Sequence, residues 1–77
     1  MSTFELLELV ALSDDKPDHG LCAGDIGTVV EVYDGGGLEV EFVEASGETR
    51  AVLTLSPSDV RKLQSGDMLA VRHTAAR

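Results

Sequence analysis

The sequence has few aromatic residues and few cations, and each shortage excludes a class of protein. It contains no tryptophan, one tyrosine and two phenylalanines in 77 residues. The core must therefore be built from Val, Leu and Ile, which favours strands. Only six residues are Lys or Arg, against 14 acids, and the net charge is −8. Because nucleic-acid binding relies on cations that neutralise phosphates, we expect no nucleic-acid partner, and no binding to anionic membranes.

Cysteine and long apolar runs are also scarce. Cys22 is the only cysteine, which excludes an internal disulfide and a cysteine-cluster metal site. No run of 18 apolar residues is present, and the Ser-Thr-Phe-Glu start lacks the basic region of a signal peptide. We therefore expect a cytoplasmic protein with no membrane contact. A chain of this length makes one small domain whose net stability is only a few kcal/mol.

Charge is distributed unevenly along the chain. Residues 1–48 contain twelve acids and a single cation, Lys16, whereas residues 49–77 contain two acids and five cations. A basic partner would therefore meet the first two-thirds of the chain.

The clearest structural signal is the segment from Leu21 to Tyr33. Gly24 and Gly27 suit a turn that needs a positive φ or a close backbone approach, and the Asp25 carboxylate can accept hydrogen bonds from its own turn amides. A β-branched strand follows and ends at an Asp-Gly-Gly-Gly reversal. The segment predicts a turn, a strand and the start of a hairpin.

Side-chain alternation predicts the pairing of the second and third strands. Core-to-core pairing places Val32 opposite Val40, with a loop from Gly35 to Gly37. Glu31 then faces Glu41 across the outer surface. The side chains expected to point inward are Ile26, Thr28, Val30 and Val32 on one strand and Leu38, Val40 and Phe42 on the other.

A fourth strand, Thr49–Leu55, is expected to follow a loop from Glu44 to Gly47. This spacing places Phe42 near Thr49, and Arg50 beside Glu41, where a cation would relieve the repulsion between acids. Its inward residues are Ala51, Leu53 and Leu55.

The remaining segments complete the expected domain. Residues 3–6 predict a helical turn and 7–13 a strand, although Leu6, Leu7, Leu9 and Val10 also fit one helical stripe. Ser13–Gly20 predicts a loop. Ser56-Pro57-Ser58-Asp59 combines an N-cap, a proline and an acid, which predicts a one-turn 3₁₀ helix before a closing strand at Val60–Leu63. Residues 1–64 form the expected domain, and 65–77 a C-terminal extension.

Four stretches together resemble a family of small bacterial proteins known as domain of unknown function 4926. They are Gly24–Val32, Leu38–Val43, Leu53–Leu55 and the Asp-x-Pro-x-x-Gly-Leu motif that begins at Asp15. The resemblance covers about residues 4–64. It implies a mainly β fold, a small five-stranded SH3-like antiparallel barrel related in outline to that of the nitrile hydratase β subunit. It implies no established activity and no catalytic residues, and it is compatible with an accessory or antitoxin-like role.

One loop concentrates side chains that can bind metals or act in catalysis, namely Asp14, Asp15, Asp18, His19 and Cys22. A third soft ligand is lacking, adjacent carboxylates are typical of a solvated loop, and a lone cysteine is most often a small buried hydrophobe. We therefore predict no metal, no cofactor and no enzymatic activity.

Strand alternation instead favours an acidic outer face, comprising Glu31, Glu39, Glu41, Glu44 and Glu48. Such a face either prevents sheet-to-sheet aggregation or docks a basic protein, as antitoxins do. The alternative function is a structural accessory module that forms oligomers through the apolar residues of the extension. The residues predicted to bind a partner are Glu31, Glu39, Glu41, Arg50, Met68, Leu69 and Val71.

Overall fold

A computed structural model describes residues 4–43, 47 and 50–63, and these residues form one antiparallel sheet. The strands are β1 (Leu9–Leu12), β2 (Ile26–Val32), β3 (Leu38–Val43), β4 (Arg50–Leu55) and β5 (Val60–Lys62). Their order across the sheet is β4-β3-β2-β1-β5, and every pairing is antiparallel. The mainly β prediction is therefore confirmed. Within the described residues no strand pairing joins β4 to β5, so backbone hydrogen bonds between strands do not close the sheet.

Two short 3₁₀ helices lie between strands, Pro17–His19 between β1 and β2 and Pro57–Asp59 between β4 and β5. The second was expected and is confirmed. The first lies inside the predicted loop, where proline presets the φ angle of the first helical residue and Gly20 ends the helix at φ 71°. Among the described residues no helix has both the length and the apolar character needed to span a membrane.

The turn before β2 has the predicted construction. Gly24 has φ 93°, a conformation that glycine adopts without steric cost. The backbone N–H of Cys22 donates to Oδ2 of Asp25 at 2.9 Å. The turn therefore closes on the Asp25 carboxylate before the strand begins at Ile26.

The predicted register between β2 and β3 is wrong, because the reversal after β2 is two residues longer than predicted and β2 contains a bulge. Val32 pairs with Leu38 and not with Val40, and Glu31 pairs with Glu39 and not with Glu41. The register then shifts between Val29 and Glu31, so that Val29 pairs with Val40. One extra residue in a strand exchanges the faces of the residues on its two sides.

The bulge also changes which side chains of β2 reach the core. Val29 is fully buried, whereas Ile26, Thr28 and Val30 are only half-buried. Of the four residues predicted to point inward, Val32 alone packs against the core cluster. The reversal after β2 is present, but it spans residues 33–37 and closes with the Tyr33 N–H donating to the Gly37 carbonyl at 2.8 Å.

The register between β3 and β4 also differs from the prediction. Arg50 pairs with Val43 and Glu41 pairs with Val52, so Arg50 is not opposite Glu41. Phe42 likewise pairs with Ala51 and not with Thr49. The connection from β3 to β4 is two residues longer than predicted, and because two is an even number the inward face is unchanged. Leu53 and Leu55 are buried as expected, and Ala51 is half-buried.

The ends of the domain follow the prediction less closely. A backbone turn occupies residues 5–8 in place of the helical turn at 3–6, and β1 begins only at Leu9. The closing strand β5 agrees with the prediction to within one residue. Thr49 and the extension 65–77 lie outside the described residues.

One apolar cluster covers the inner side of the sheet. Phe4, Leu21 and Val32 pack around its rim. Its buried members come from all five strands: Val10, Leu12, Val29, Leu38, Val40, Phe42, Leu53, Leu55 and Val60.

Asp59 joins the second 3₁₀ helix to the first loop. Its Oδ2 accepts the backbone N–H of Ser56 at 2.9 Å, and its Oδ1 lies 3.4 Å from the Lys16 ammonium. The Ser56 backbone N–H is the main cause that holds the pKa of Asp59 below its ordinary value, with smaller contributions from the Ser56 hydroxyl and Lys16.

We expect Asp59→Asn to lower the free energy of unfolding by about 1 kcal/mol at neutral pH, because a charged acceptor forms the stronger hydrogen bond. A pKa that is lower in the folded state stabilises the fold above the unfolded pKa, about 4, and this stabilisation is lost as pH falls through the folded value. The two proteins should therefore converge below about pH 4 in urea unfolding. Asp18→Asn, at an exposed position, is the control. A difference that persists unchanged to low pH would contradict the assignment.

Candidate functional site

Three of the predicted acids lie on the outer face of the sheet, on the side opposite the core. Paired residues of an antiparallel sheet point to the same side, so the register arranges this face in cross-strand rows. Glu31, Glu39 and Thr54 form one row, and Thr28, Glu41 and Val52 form the next. We call Glu31, Glu39 and Glu41 the acidic face.

Glu31 and Glu39 are direct cross-strand partners, an arrangement of like charges that costs free energy. Two neutral donors offset part of this cost at Glu39. Its Oε1 accepts the Thr54 hydroxyl at 2.8 Å and the Tyr33 hydroxyl at 3.3 Å. The Glu39 carboxylate is thereby held over β3 and β4 in a defined position.

The pKa of Tyr33 responds to the negative charge at this end of the sheet. The charge of Glu39 is the main cause that raises the pKa of the Tyr33 phenol, followed by desolvation, the hydrogen bond to Glu39 and the charge of Glu31. Two carboxylates therefore act on one exposed phenol.

Apolar side chains lie beside the acids on the same face. Val52, the partner of Glu41, is 50% exposed, as is Val43, the next outward residue on β3. The face therefore presents carboxylates next to uncovered methyl groups, a combination suited to a partner that carries both cations and apolar side chains.

The other predicted site residues are not gathered at this place. The register puts Arg50 opposite Val43, two residues beyond Glu41 on β3. Glu44, Glu48, Met68, Leu69 and Val71 lie outside the described residues.

The loop with candidate ligands is held together by backbone contacts. Asp15 accepts the Ala23 N–H at 2.8 Å, His19 is exposed in the first 3₁₀ helix, and Cys22 is a half-buried free thiol. Across the described part of the chain, no three His, Cys, Asp or Glu side chains come together in a geometry that could hold a metal ion.

Sequence reasoning missed the two side chains that position Glu39. Thr54 was detectable, because Leu53 and Leu55 are inward by alternation and the residue between them must point outward. Tyr33 lies beyond the end of β2, and no alternation pattern predicts which way a loop residue turns.

Comparison with known families shows what this sheet is related to. The profile of the family described as Domain of unknown function (DUF4926) matches residues 6–62. The chain belongs to this family. The DUF4926 match begins in the turn before β1 and ends at Lys62, so it includes all five strands and the whole acidic face. No curated protein and no solved structure matches the chain.

Proposed function

We propose that this DUF4926 protein acts in the cytoplasm as a non-catalytic binding module whose acidic face docks a more basic protein, as an antitoxin or a regulatory subunit does. The observation that carries the proposal is the direct pairing of Glu31 with Glu39, with Glu41 next along β3. Solubility alone is served by dispersed charges. Adjacent carboxylates repel each other in the free protein, and a cationic partner would turn that repulsion into attraction.

The positions of the donors support a docking role. Thr54 and Tyr33 hold Glu39 from two sides, so less side-chain freedom is lost when a cation binds. The exposed Val43 and Val52 add apolar area beside the carboxylates. Charge would steer the encounter, and apolar contact would prolong it.

We further propose that the sheet coils into an SH3-like barrel. The strand order brings the last strand, β5, beside the first, β1. The bulge in β2 bends its strand, and a 3₁₀ helix joins β4 to β5. A coiled sheet would present the acidic face on its outer wall.

Charge reversal tests the docking role. We expect Glu39→Lys with Glu41→Lys to slow association with the partner by about tenfold or more at low salt, because steering raises association rates by about 10–10³-fold. The difference should shrink at high salt, where charges are screened. The measurement is stopped-flow association with a partner purified from the native host through the tagged parent protein.

The matched control is Asp14→Lys with Asp18→Lys, which changes the net charge equally at two exposed loop positions. A docking role requires the control to associate close to the parental rate. Equal slowing of both variants would show that total charge matters and the face does not. If the Glu39/Glu41 variant associates as fast as the parent, the acidic face contributes to solubility and not to docking.

Tyr33 provides a local readout, because it is the only tyrosine and the chain has no tryptophan. A cation placed on Glu39 and Glu31 favours the phenolate, so saturation with partner should lower the pKa of Tyr33. Ultraviolet titration of the phenol, with a partner whose own tyrosines are replaced, measures this shift. A pKa that is unchanged on binding would place the interface elsewhere.

A further inference from the structure

The turn that precedes β1, together with the first residue of β1, exposes an unusual amount of apolar surface. Leu6 is 58% exposed, Leu7 69% and Leu9 44%. Among the described residues Leu7 is the only non-glycine with a positive φ, at 69°. A left-handed leucine costs free energy that a glycine would avoid. Strain of this kind clusters at functional sites in proteins.

Hydrogen bonds hold the turn in this conformation. The Glu8 N–H donates to the Glu5 carbonyl at 3.1 Å, and the Leu7 N–H donates to the Val29 carbonyl at 2.6 Å. The Glu8 carboxylate accepts the Glu5 N–H at 2.9 Å and the Lys62 ammonium at 2.6 Å. These hydrogen bonds therefore connect the turn to β2 and β5 and hold Leu6 and Leu7 in their exposed positions.

The turn adjoins the acidic face. Leu9 pairs with Thr28, Thr28 pairs with Glu41, and Glu41 pairs with Val52, so these residues form a single row across four strands. Leu7 bonds to Val29, immediately before the bulge that leads to Glu31. Apolar and acidic groups thus share one continuous surface.

We propose that Leu6, Leu7 and Leu9, the leucine turn, anchor a cationic amphipathic segment of the basic partner, a step that rests on the proposed function. The apolar side of that segment covers the leucine turn, and its cations meet the acidic face. A second copy of the chain is a poorer occupant, because each copy carries a net charge of −8 and like charges oppose association.

Two synthetic peptides of equal length and lysine content test the anchor. In one the lysines are combined with leucines as an amphipathic helix, and in the other serines replace the leucines. The parent should bind the lysine–leucine peptide about tenfold tighter or more, because the leucines bury apolar area. Isothermal titration calorimetry measures both affinities.

The decisive variant is Leu6→Ser with Leu7→Gly. Glycine adopts φ 69° without strain, so the variant should fold, with a melting temperature no lower than that of a Leu6→Ser single variant. It should lose the preference for the lysine–leucine peptide and keep its affinity for the lysine–serine peptide. Ala23→Ser, at an exposed position in the loop before β2 and outside both the leucine turn and the acidic face, should keep the preference.

Each remaining outcome is decisive against the anchor. The anchor is overturned if the Leu6/Leu7 variant keeps the parental preference, or if the parent shows no preference. The acidic face would still be supported in either case if Glu39→Lys with Glu41→Lys weakens binding of the lysine–serine peptide. If the parent binds neither peptide, the proposal that the acidic face docks a basic partner is overturned as well. A parental dimer that becomes monomeric in the Leu6/Leu7 variant would assign the turn to a second copy.

Discussion

Replacing Leu38 by alanine is expected to lower the free energy of unfolding by about 2–5 kcal/mol, the range for truncating a fully buried leucine. Leu38 has no exposed surface and pairs on either side with Val32 and Leu55. Among the described residues it is one of the largest fully buried side chains, and it belongs to the core cluster. A domain of this size has only a few kcal/mol of net stability, so the variant should be largely unfolded at room temperature.

Urea unfolding followed by circular dichroism measures the effect. Leu6→Ala removes the same atoms from a side chain that is 58% exposed, and it should change stability by less than about 0.5 kcal/mol. A loss below about 1 kcal/mol for Leu38→Ala, with an unchanged dependence on urea, would show that the Leu38 side chain does not stabilise the core as its burial indicates.

Adding a single methyl group at Gly27 is expected to destabilise the fold by about 1–3 kcal/mol. A Cβ atom at this position would lie 2.7 Å from the Phe42 ring and 2.7 Å from a methyl group of Val40, well inside van der Waals contact. Both neighbours are buried, so they are packed against other core side chains and resist displacement. Gly27 therefore allows β2 to approach the inward residues of β3.

The control for this prediction is Gly35→Ala, where a Cβ would meet nothing within 4 Å. Alanine there should be neutral or stabilise by about 0.4–1 kcal/mol, through the unfolded state. Combining Gly27→Ala with Phe42→Leu should cost less than the sum of the two single changes, because the smaller side chain makes room. Strict additivity would mean that the clash does not limit stability.

Most of the local structure could be predicted from pattern. Alternation identified the inward faces of β3 and β4, since Leu38, Val40 and Phe42 are apolar and Glu39 and Glu41 between them are charged. The 3₁₀ helix at Pro57–Asp59 followed from a serine, a proline and an acid at fixed spacing. These features depend on nearest neighbours along the chain.

The pairing of strands was predicted less well. A three-residue loop after β2 predicts Glu31 opposite Glu41, whereas the observed five-residue reversal pairs Glu31 with Glu39, the central feature of the acidic face. A glycine-rich reversal can contain different numbers of residues. Two reversals that differ by an even number of residues both place the inward side chains of the two strands on the same face of the sheet. Glu31, Glu39 and Glu41 therefore lie on the outer face as predicted, whereas Thr28 was expected to point inward and the cross-strand partners differ from the prediction.

Residue order alone sets the turns, the strand faces and the charge of this protein, since each follows from the chemistry of a few adjacent residues. The bulge at Val30 could not be found in this way. The stretch Thr28-Val29-Val30-Glu31-Val32 has valines in both alternation registers, so it accommodates an extra residue without any change of pattern. Packing in the core determines which of the two alternation registers is used. Val29 is fully buried and pairs with Val40, and Gly27 leaves room for the Phe42 ring. Contacts between residues distant in sequence thus turned Val29 inward and brought Thr28 opposite Glu41 on the outer face.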